Sequence, residues 1–128
     1  IENPKGFVFC QNTESLIFSQ RRKIMAKNWT EQEKINVWNK GAIVAGYDST
    51  KYRKDQCDAW MIYNEYGNRS SVFGWEIDHI SPNSSGGADT LSNLRPLQWQ
   101  NNVDKSDGRL KCNVSASGNQ NVDKLRRL

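Results

Sequence analysis

Alternating apolar and polar positions near the middle of the chain predict a β-strand over residues 72–80. Successive side chains of a strand point to opposite sides, so Glu76 and Asp78 fall on one face and His79 on the other. Pro82 follows and ends the strand, because proline cannot donate a ladder hydrogen bond. The strand therefore presents two carboxylates side by side and a histidine behind them.

A polar loop, a second strand and a helix are predicted to follow. The loop covers residues 83–90 and contains Gly86-Gly87, and a short extended piece covers residues 93–97. Residues 98–106 contain neither proline nor glycine, and their apolar positions can form one helical face. The local order is therefore strand, loop, strand, helix.

Upstream of this region, a capping box predicts a helix. Thr30 and Glu33 have the spacing of the box, and Gly41 supplies the stop. Ile35 and Trp38 lie three positions apart on one face of the predicted helix. We expect that face to pack into the core.

Hairpins and loops complete the predicted elements. Residues 6–20 predict an N-terminal hairpin, and residues 41–55 predict a loop. Residues 57–63 predict a strand that forms a second hairpin with residues 72–80. Residues 108–128 are rich in Ser, Asn, Gly and Lys, which predicts irregular structure with one helical turn at the end.

The length of 128 residues fits a single domain. We expect an α+β fold with a core segment at 74–107, an N-terminal hairpin and helix extension at 1–40, and a basic C-terminal tail at 108–128. A hydrophobic content of 36% and a charged content of 25% indicate a modest core and a very polar surface. No apolar run approaches the roughly 20 residues that span a bilayer, so we expect no membrane partner.

Charge is distributed unevenly along the chain, although the net charge is only +4. Residues 76–107 hold two basic and five acidic side chains, whereas residues 108–128 hold five basic and one acidic. Residues 1–40 are also basic on balance, with seven basic side chains against four acidic. An acidic centre suits a cation, and basic flanks suit a phosphate backbone.

The three cysteines, Cys10, Cys57 and Cys112, are far apart and form no CxxC pair. We therefore expect neither a structural zinc site nor a disulfide framework. A cytoplasmic, reducing location is the expectation, although the sequence begins at Ile1 and a removed export signal stays open. Catalysis by Cys57 is disfavoured, because it has no neighbouring histidine in the sequence.

Asp78, His79 and Asn102 suggest metal-assisted hydrolysis of phosphodiesters. Asp78 offers a hard carboxylate oxygen and Asn102 an amide oxygen. Mg²⁺ commonly takes few protein ligands and completes its octahedron with waters and phosphate oxygens. His79 stands beside the first ligand and could accept a proton from an attacking water.

The region resembles the HNH endonucleases, the ββα-metal nucleases. The matching residues are Glu76-Ile77-Asp78-His79-Ile80-x-Pro82, then Gly86-Gly87, Asn93-Leu94 and Asn101-Asn102-x-x-Lys105. The resemblance implies a ββα-metal finger, around which the additional β-hairpin and the N-terminal helix would pack. It also implies an endonuclease that acts on DNA.

The resemblance implies a role for each matching residue. Asp78 and Asn102 would hold one divalent ion, His79 would be the general base, and Asn93 would fasten the loop between the strands. Asn rather than His at position 102 favours Mg²⁺ or Mn²⁺ over Zn²⁺. The alternative function is a non-catalytic nucleic-acid-binding module that retains an HNH-like fold.

Basic side chains near the motif and in the flanks are expected to contact the phosphates of double-stranded DNA. A charge run that only solvates the surface is the alternative for each flank. The expected contacts are Arg21, Arg22, Lys23, Arg95, Lys105, Arg126 and Arg127.

Overall fold

A computed structural model describes residues 28–82, 88–106 and 108–125. The chain divides into two compact units, Ile1–Thr30 and Glu31–Leu128. The predicted N-terminal hairpin and the basic residues Arg21, Arg22, Lys23, Arg126 and Arg127 lie outside the described residues. Within those residues, no helix is long and apolar enough to cross a membrane.

The second unit combines short helices with small antiparallel sheets, which confirms the α+β class. Its described part contains two α-helices and six strands, and the strands form three separate two-stranded sheets. In chain order the elements are α1 (Glu31–Trp38), β1 (Tyr52–Lys54), β2 (Trp60–Ile62), β3 (Trp75–His79), β4 (Leu94–Gln98), α2 (Trp99–Lys105), β5 (Val114–Ser117) and β6 (Gln120–Asp123).

Helix α1 lies where the capping box predicts it. It ends at Trp38, and the N–H of Gly41 donates to the Trp38 carbonyl at 2.9 Å, which closes the last turn. Val37 and Trp38 are buried, but Ile35 is 36% exposed. The predicted pairing of Ile35 with Trp38 in the core is therefore wrong, and Val37 takes that place.

The first sheet corrects the predicted hairpin. Strand β2 pairs antiparallel with β1, in the register Arg53↔Met61, and not with the strand that follows it. Residues 52–54, which were expected in a loop, are therefore a strand. The Ile62 N–H of β2 nevertheless donates to the Phe73 carbonyl in the later segment, at 3.1 Å.

The second sheet and α2 carry the motif region. Strands β3 and β4 pair antiparallel, with Asp78 opposite Arg95 and His79 opposite Leu94. Helix α2 follows β4 without a loop, because Gln98 is both the last residue of β4 and the N-cap of the helix. Its side chain accepts hydrogen bonds from the N–H groups of Gln100 and Asn101, which satisfies two donors of the first turn.

The C-terminal tail is a hairpin rather than irregular structure. Strands β5 and β6 pair antiparallel around Gly118, whose φ of 62° lies in the left-handed region that a tight turn requires. The Asn121 side chain fastens this hairpin to β2, because it accepts from the Trp60 N–H and donates to the Trp60 carbonyl, at 2.8 and 3.0 Å. The predicted terminal helical turn is absent from the described residues, since residues 122 and 123 belong to β6.

A cluster of aromatic rings packs α1 against the sheet of β3 and β4. The Trp75 ring lies 5.1 Å from the Trp38 ring, 5.8 Å from the Tyr63 ring and 4.9 Å from the Tyr66 ring. Trp75 is fully buried and starts β3. The strand that carries Asp78 and His79 is therefore anchored at its first residue by the largest fully buried side chain among the described residues.

A disulfide joins Cys57 to Cys112, with a Cα–Cα distance of 5.0 Å and a sequence separation of 55 residues. The expectation that the cysteines form no disulfide is wrong. The two residues are distant in sequence, and only the packing of the β5–β6 hairpin next to the turn after β1 brings them together. Disulfides persist mainly in oxidising compartments, so this bond removes the cysteine argument for a reducing interior.

Candidate metal and catalytic site

Asp55 holds the start of helix α2 in place through hydrogen bonds. Its Oδ1 accepts from the N–H groups of Cys57 and Ala59, both at 2.9 Å. Its Oδ2 accepts from the Gln98 N–H at 2.9 Å and from the Asn101 Nδ2 at 3.1 Å. Burial raises the pKa of the Asp55 carboxyl above its ordinary value, and the four donors act in the opposite direction. One carboxylate therefore links the turn after β1 to the start of α2.

Asn101 continues this connection to the C-terminal hairpin. Its Nδ2 donates to the Val114 carbonyl and its Oδ1 accepts from the Val114 N–H, each at 2.9 Å. Asn101 is fully buried and Val114 is 1% exposed. Helix α2 is consequently held on two sides. Arg53, two residues before Asp55, donates to the carbonyls of Ser49, Asn39 and Gly41.

Replacing Asp55 with asparagine should destabilise the protein by about 3 kcal/mol. An amide group at this position would turn its N–H donors toward two of the four existing donors, and each buried donor left unsatisfied costs about 1–3 kcal/mol. Asp58→Asn is the matched control, because the Asp58 side chain is 68% exposed and pairs only at the surface with Lys54. Urea unfolding of the two variants measures the difference, and equal midpoints would contradict this role of Asp55.

Glu76 is the first carboxylate on the face of β3 that α2 covers. The Arg69 guanidinium donates to it twice, from Nε to Oε2 at 2.6 Å and from Nη2 to Oε1 at 2.9 Å. These hydrogen bonds raise the pKa of Arg69. Burial raises the pKa of the neighbouring Tyr66 hydroxyl to about 12, and the charge of Glu76 adds to that increase. Glu76 is thus a buried, charge-compensated anion.

Asp78 is the second carboxylate on this face, and its side chain is 6% exposed. Its Oδ2 accepts from the Arg95 Nε at 2.8 Å. Its Oδ1 lies 3.3 Å from the Lys105 Nζ. The predicted metal ligand therefore sits between two cations, one from the paired strand and one from α2.

Asn102 lies one helical turn before Lys105 and faces the same sheet surface. Its Nδ2 donates to the Glu76 Oε1 at 2.9 Å. This bond orients the amide without using the carbonyl oxygen. Glu76 and Asp78 lie on one face of β3 because side chains alternate along a strand. Asn102 contacts Glu76 and therefore lies over the same face.

His79 is the last residue of β3 and lies on the opposite face of that strand. Its Nε2 is 2.6 Å from the Asp89 Oδ1, and the two side chains are 18% and 47% exposed. An ionised carboxylate only accepts hydrogen bonds, so Nε2 carries the proton in this pair. In the neutral ring, Nδ1 then holds the lone pair. Asp89 thereby orients the imidazole, and its carboxylate favours the tautomer with the proton on Nε2.

Asn93 connects the two ends of the loop between β3 and β4. Its Oδ1 accepts from the Ser81 N–H at 2.8 Å, and its Nδ2 donates to the Ser81 carbonyl at 3.0 Å. The same Nδ2 donates to the Ala88 carbonyl at 2.8 Å. Each of these bonds joins residues that flank the loop, so Asn93 is placed to hold the backbone that follows His79.

The two basic residues near the motif that are expected to contact DNA, Arg95 and Lys105, both lie close to Asp78. Arg95 has a side chain that is 13% exposed, and its Nη1 donates to the Gln56 Oε1 at 2.6 Å. Lys105 has a side chain that is only 3% exposed. In this arrangement Lys105 faces the interior of the site, and Arg95 lies at its edge.

A cleft of about 250 Å³ opens beside Arg95. Lys40 and Lys54 line it together with Asp55 and Gln56. Lys40 donates to the Leu91 and Leu94 carbonyls, and Lys54 pairs with Asp58 at 3.3 Å, so both ammonium groups are held at the rim. Three cations, Lys40, Lys54 and Arg95, therefore line the cleft, and Arg95 also donates a hydrogen bond to Asp78.

Comparison with known proteins identifies the region that carries these side chains. A family model described as HNH endonuclease matches residues 68–108. The predicted resemblance to that family is confirmed. No curated protein and no solved structure matches the chain. The HNH segment runs from the turn before β3 to the end of α2, so it includes every motif residue described above.

The HNH segment contains one functional candidate, Asp89, that the sequence pattern did not single out. Asp89 lies between the glycine pair and Asn93, and no periodicity marks it as a partner of His79. The alternation of β3 did put Glu76 beside Asp78, but gave it no role. Lys105 was expected to contact phosphate, and its burial depends on the packing of α2.

Donor chemistry in the HNH segment suits a hard divalent ion. The donors are the Asp78 carboxylate and the Asn102 amide oxygen, with Glu76 adjacent to both. Among residues 28–82, 88–106 and 108–125, no group of three or more His, Cys, Asp or Glu side chains is arranged to hold a metal. HNH nucleases generally use divalent metals, and their substrate is nucleic acid.

Proposed function

We propose that the protein is a divalent-metal-dependent endonuclease that hydrolyses DNA phosphodiester bonds. The observation that carries this proposal is the placement of Asp78, His79 and Asn102 around one antiparallel strand pair and the helix that follows it. These elements lie within the segment that matches the HNH endonuclease family. The order of strand, strand and helix supports the proposal that this segment is a ββα-metal finger.

The chemistry of Asp78 supports a metal ion at this face. Its buried carboxylate already holds cations on both oxygens, Arg95 at 2.8 Å and Lys105 at 3.3 Å. A position that stabilises an ammonium and a guanidinium in this way favours positive charge. With Asn102 it offers only oxygen donors, which suit Mg²⁺ or Mn²⁺. A bound ion would polarise the scissile phosphate and stabilise the charge that develops on the leaving oxygen.

His79 supplies the proton transfer. Its Nε2 hydrogen bond to Asp89 leaves Nδ1 as the basic nitrogen. As water oxygen attacks phosphorus, the water proton moves to the imidazole, and the bond from phosphorus to the 3′ oxygen breaks. The products are a 5′ phosphate and a 3′ hydroxyl, which takes up a proton. Asn93 keeps the backbone after His79 in place during this step.

DNA would approach from the side of the cleft that Arg95 borders. The rim carries Lys40 and Lys54, which can attract a phosphate backbone. The cleft adjoins Asp78 through Arg95, so a strand that crosses it would bring a phosphate close to the carboxylates. Double-stranded DNA is the proposed substrate, as the sequence resemblance implies.

A non-catalytic nucleic-acid-binding module is the second candidate function. It would need only the basic rim and not the intact set of Asp78, His79 and Asn102. The contact between His79 and Asp89, 2.6 Å from Nε2 to Oδ1, favours the enzyme, because it orients the imidazole ring and a binding module needs no oriented base.

Incubation with supercoiled plasmid tests the proposal. We expect Mg²⁺ or Mn²⁺ to support conversion to nicked and linear forms, and EDTA to prevent it. An Asp78→Ala protein purified in parallel should be inactive at the same metal concentration and serves as the control for a contaminating nuclease. DNA that is bound in a gel-shift assay but never cleaved would favour the binding module.

A further inference from the structure

Lys105 is a buried cation. A lysine that binds substrate phosphate would be expected at the surface, so its burial needs another explanation. Lysine side chains are almost never fully buried unless they are paired. The Lys105 side chain is 3% exposed, and its Nζ lies 3.3 Å from the Asp78 Oδ1. Its other hydrogen bond goes to the carbonyl of the adjacent Ser106, at 3.2 Å. Asp78 is therefore the anion that keeps this ammonium inside the site.

Arg95 pairs with the same carboxylate but is held differently. Its Nε donates to Asp78, while its Nη1 donates to the Gln56 Oε1 at 2.6 Å. Arg95 also lies directly opposite Asp78 in the strand register, so the backbone fixes its position. Lys105 is attached only through a long, flexible side chain. Of the two cations, Lys105 is the one that can leave without disturbing the sheet.

A divalent ion on Asp78 and the Lys105 ammonium in its present place exclude each other. Both would contact one carboxylate, and like charges within about 4 Å repel strongly where water is largely excluded. Asn102, the other oxygen donor, lies one turn before Lys105 on the same side of α2. An ion between Asp78 and Asn102 would therefore approach the path of the lysine side chain.

We propose that Lys105 is an internal counter-ion for Asp78, which a divalent metal displaces. This inference rests on the proposed metal-dependent function. The ammonium stabilises the buried carboxylate before the metal binds and competes with the metal for it. Lys105 is in the last turn of α2, next to Ser106, which ends the helix with a φ of 51°. Once displaced, the ammonium can turn outward and bind a substrate phosphate.

Lys105→Met tests the competition directly, because methionine keeps an unbranched side chain and removes the charge. Mn²⁺ binding is measured on the protein without DNA, by calorimetry and by the electron paramagnetic resonance signal of free Mn²⁺. We expect Lys105→Met to bind Mn²⁺ at least about tenfold more tightly than the wild-type protein, because a competing cation is gone. Lys111→Met, at an exposed position, is the control for the change in net charge.

Each outcome separates the two proposals. Unchanged or weaker Mn²⁺ binding by Lys105→Met, with normal Asp78-dependent binding by the wild-type protein, overturns the counter-ion role and leaves the nuclease proposal standing. Absence of Mn²⁺ binding in both proteins overturns both. An equal increase in Mn²⁺ affinity in Lys111→Met would show that the effect comes from net charge alone, and would also overturn the counter-ion role. If Lys105→Met does not fold in a thermal melt, Lys105→Gln replaces it, with the same expected increase in affinity.

Discussion

His79→Ala should slow cleavage of DNA by about 10²–10⁴-fold, the range that a positioned general base contributes. The fold should be unaffected, because His79 ends β3 and its side chain is partly exposed, so its loss leaves no core cavity. The carboxylate and amide of Asp78 and Asn102 lie on the other face of the strand and stay in place. Single-turnover cleavage of a labelled duplex at saturating Mg²⁺ measures the rate of the chemical step.

Two measurements keep this result interpretable. Fluorescence anisotropy should show that the His79→Ala protein binds the duplex as the wild-type protein does, and a thermal melt should show an unchanged unfolding temperature. Asp89→Ala should slow cleavage less than His79→Ala, because it removes only the group that orients the ring. A His79→Ala protein that cleaves at the wild-type rate would rule out its role as the base.

Reduction of the disulfide should lower the free energy of unfolding by about 4 kcal/mol. The bond closes a loop with a sequence separation of 55 residues, and the chain-entropy relation for a loop of that length gives this value. Cys57 also lies in the turn that Asp55 links to the start of α2, so the constraint that reduction removes lies close to that helix. Urea unfolding with and without a phosphine reductant measures the loss.

Cys10 provides the matched control for this experiment. The Cys10→Ser protein should respond to reductant as the wild-type protein does, whereas the double variant Cys57→Ser, Cys112→Ser should already have the lower stability and show no response. Thiol counting under denaturing conditions establishes that the bond was present and then reduced. An unchanged unfolding midpoint after full reduction would contradict the expected contribution.

The elements that sequence predicted well are those whose signals are local. The end of β3 follows within one residue from the alternation that ends before Pro82, whereas its start lies three residues later than predicted. The start of α1 follows from the capping box at Thr30. The β–β–α order of the HNH segment was also predicted, since Pro82 and the loop with Gly86-Gly87 separate the two strands and residues 98–106 contain no proline or glycine. Pairing of β2 with β1 was missed, because the choice between neighbouring strands depends on packing and not on either strand alone.

The β5–β6 hairpin shows that a polar composition alone does not predict irregular structure. Residues 113–121 are polar and were expected to be irregular, yet Val114 is 1% exposed and Asn121 makes three side-chain hydrogen bonds to Trp60 and Val72. These tertiary contacts stabilise strands that lack strong propensity. A signal was present, since Gly118-Asn119 is a two-residue turn of the kind that joins antiparallel strands.

In the candidate site, the sequence indicated which residues to consider more readily than it indicated the contacts that they make. Asp78 lies on β3 and Asn102 on α2, as the strand–loop–strand–helix pattern predicts, and Asn102 contacts Glu76 on the strand face that carries Asp78. The engagement of Asp78 with Lys105 could not be predicted, because it requires both the register of α2 and the burial of a flexible side chain. The partner of His79 lies ten residues away in a loop, where sequence patterns carry no spacing rule.

The position of the disulfide has a mechanical consequence. Cys57 and Cys112 lie outside the limits of the HNH segment at residues 68–108, one before it and one after it. Tension applied to the two ends of the chain therefore passes across the sulfur–sulfur bond, and the intervening ring carries no load. As long as the bond is intact, β3, β4 and α2 are shielded from stretching, so pulling on the protein can detach its flanks without extending the backbone around Asp78 and His79.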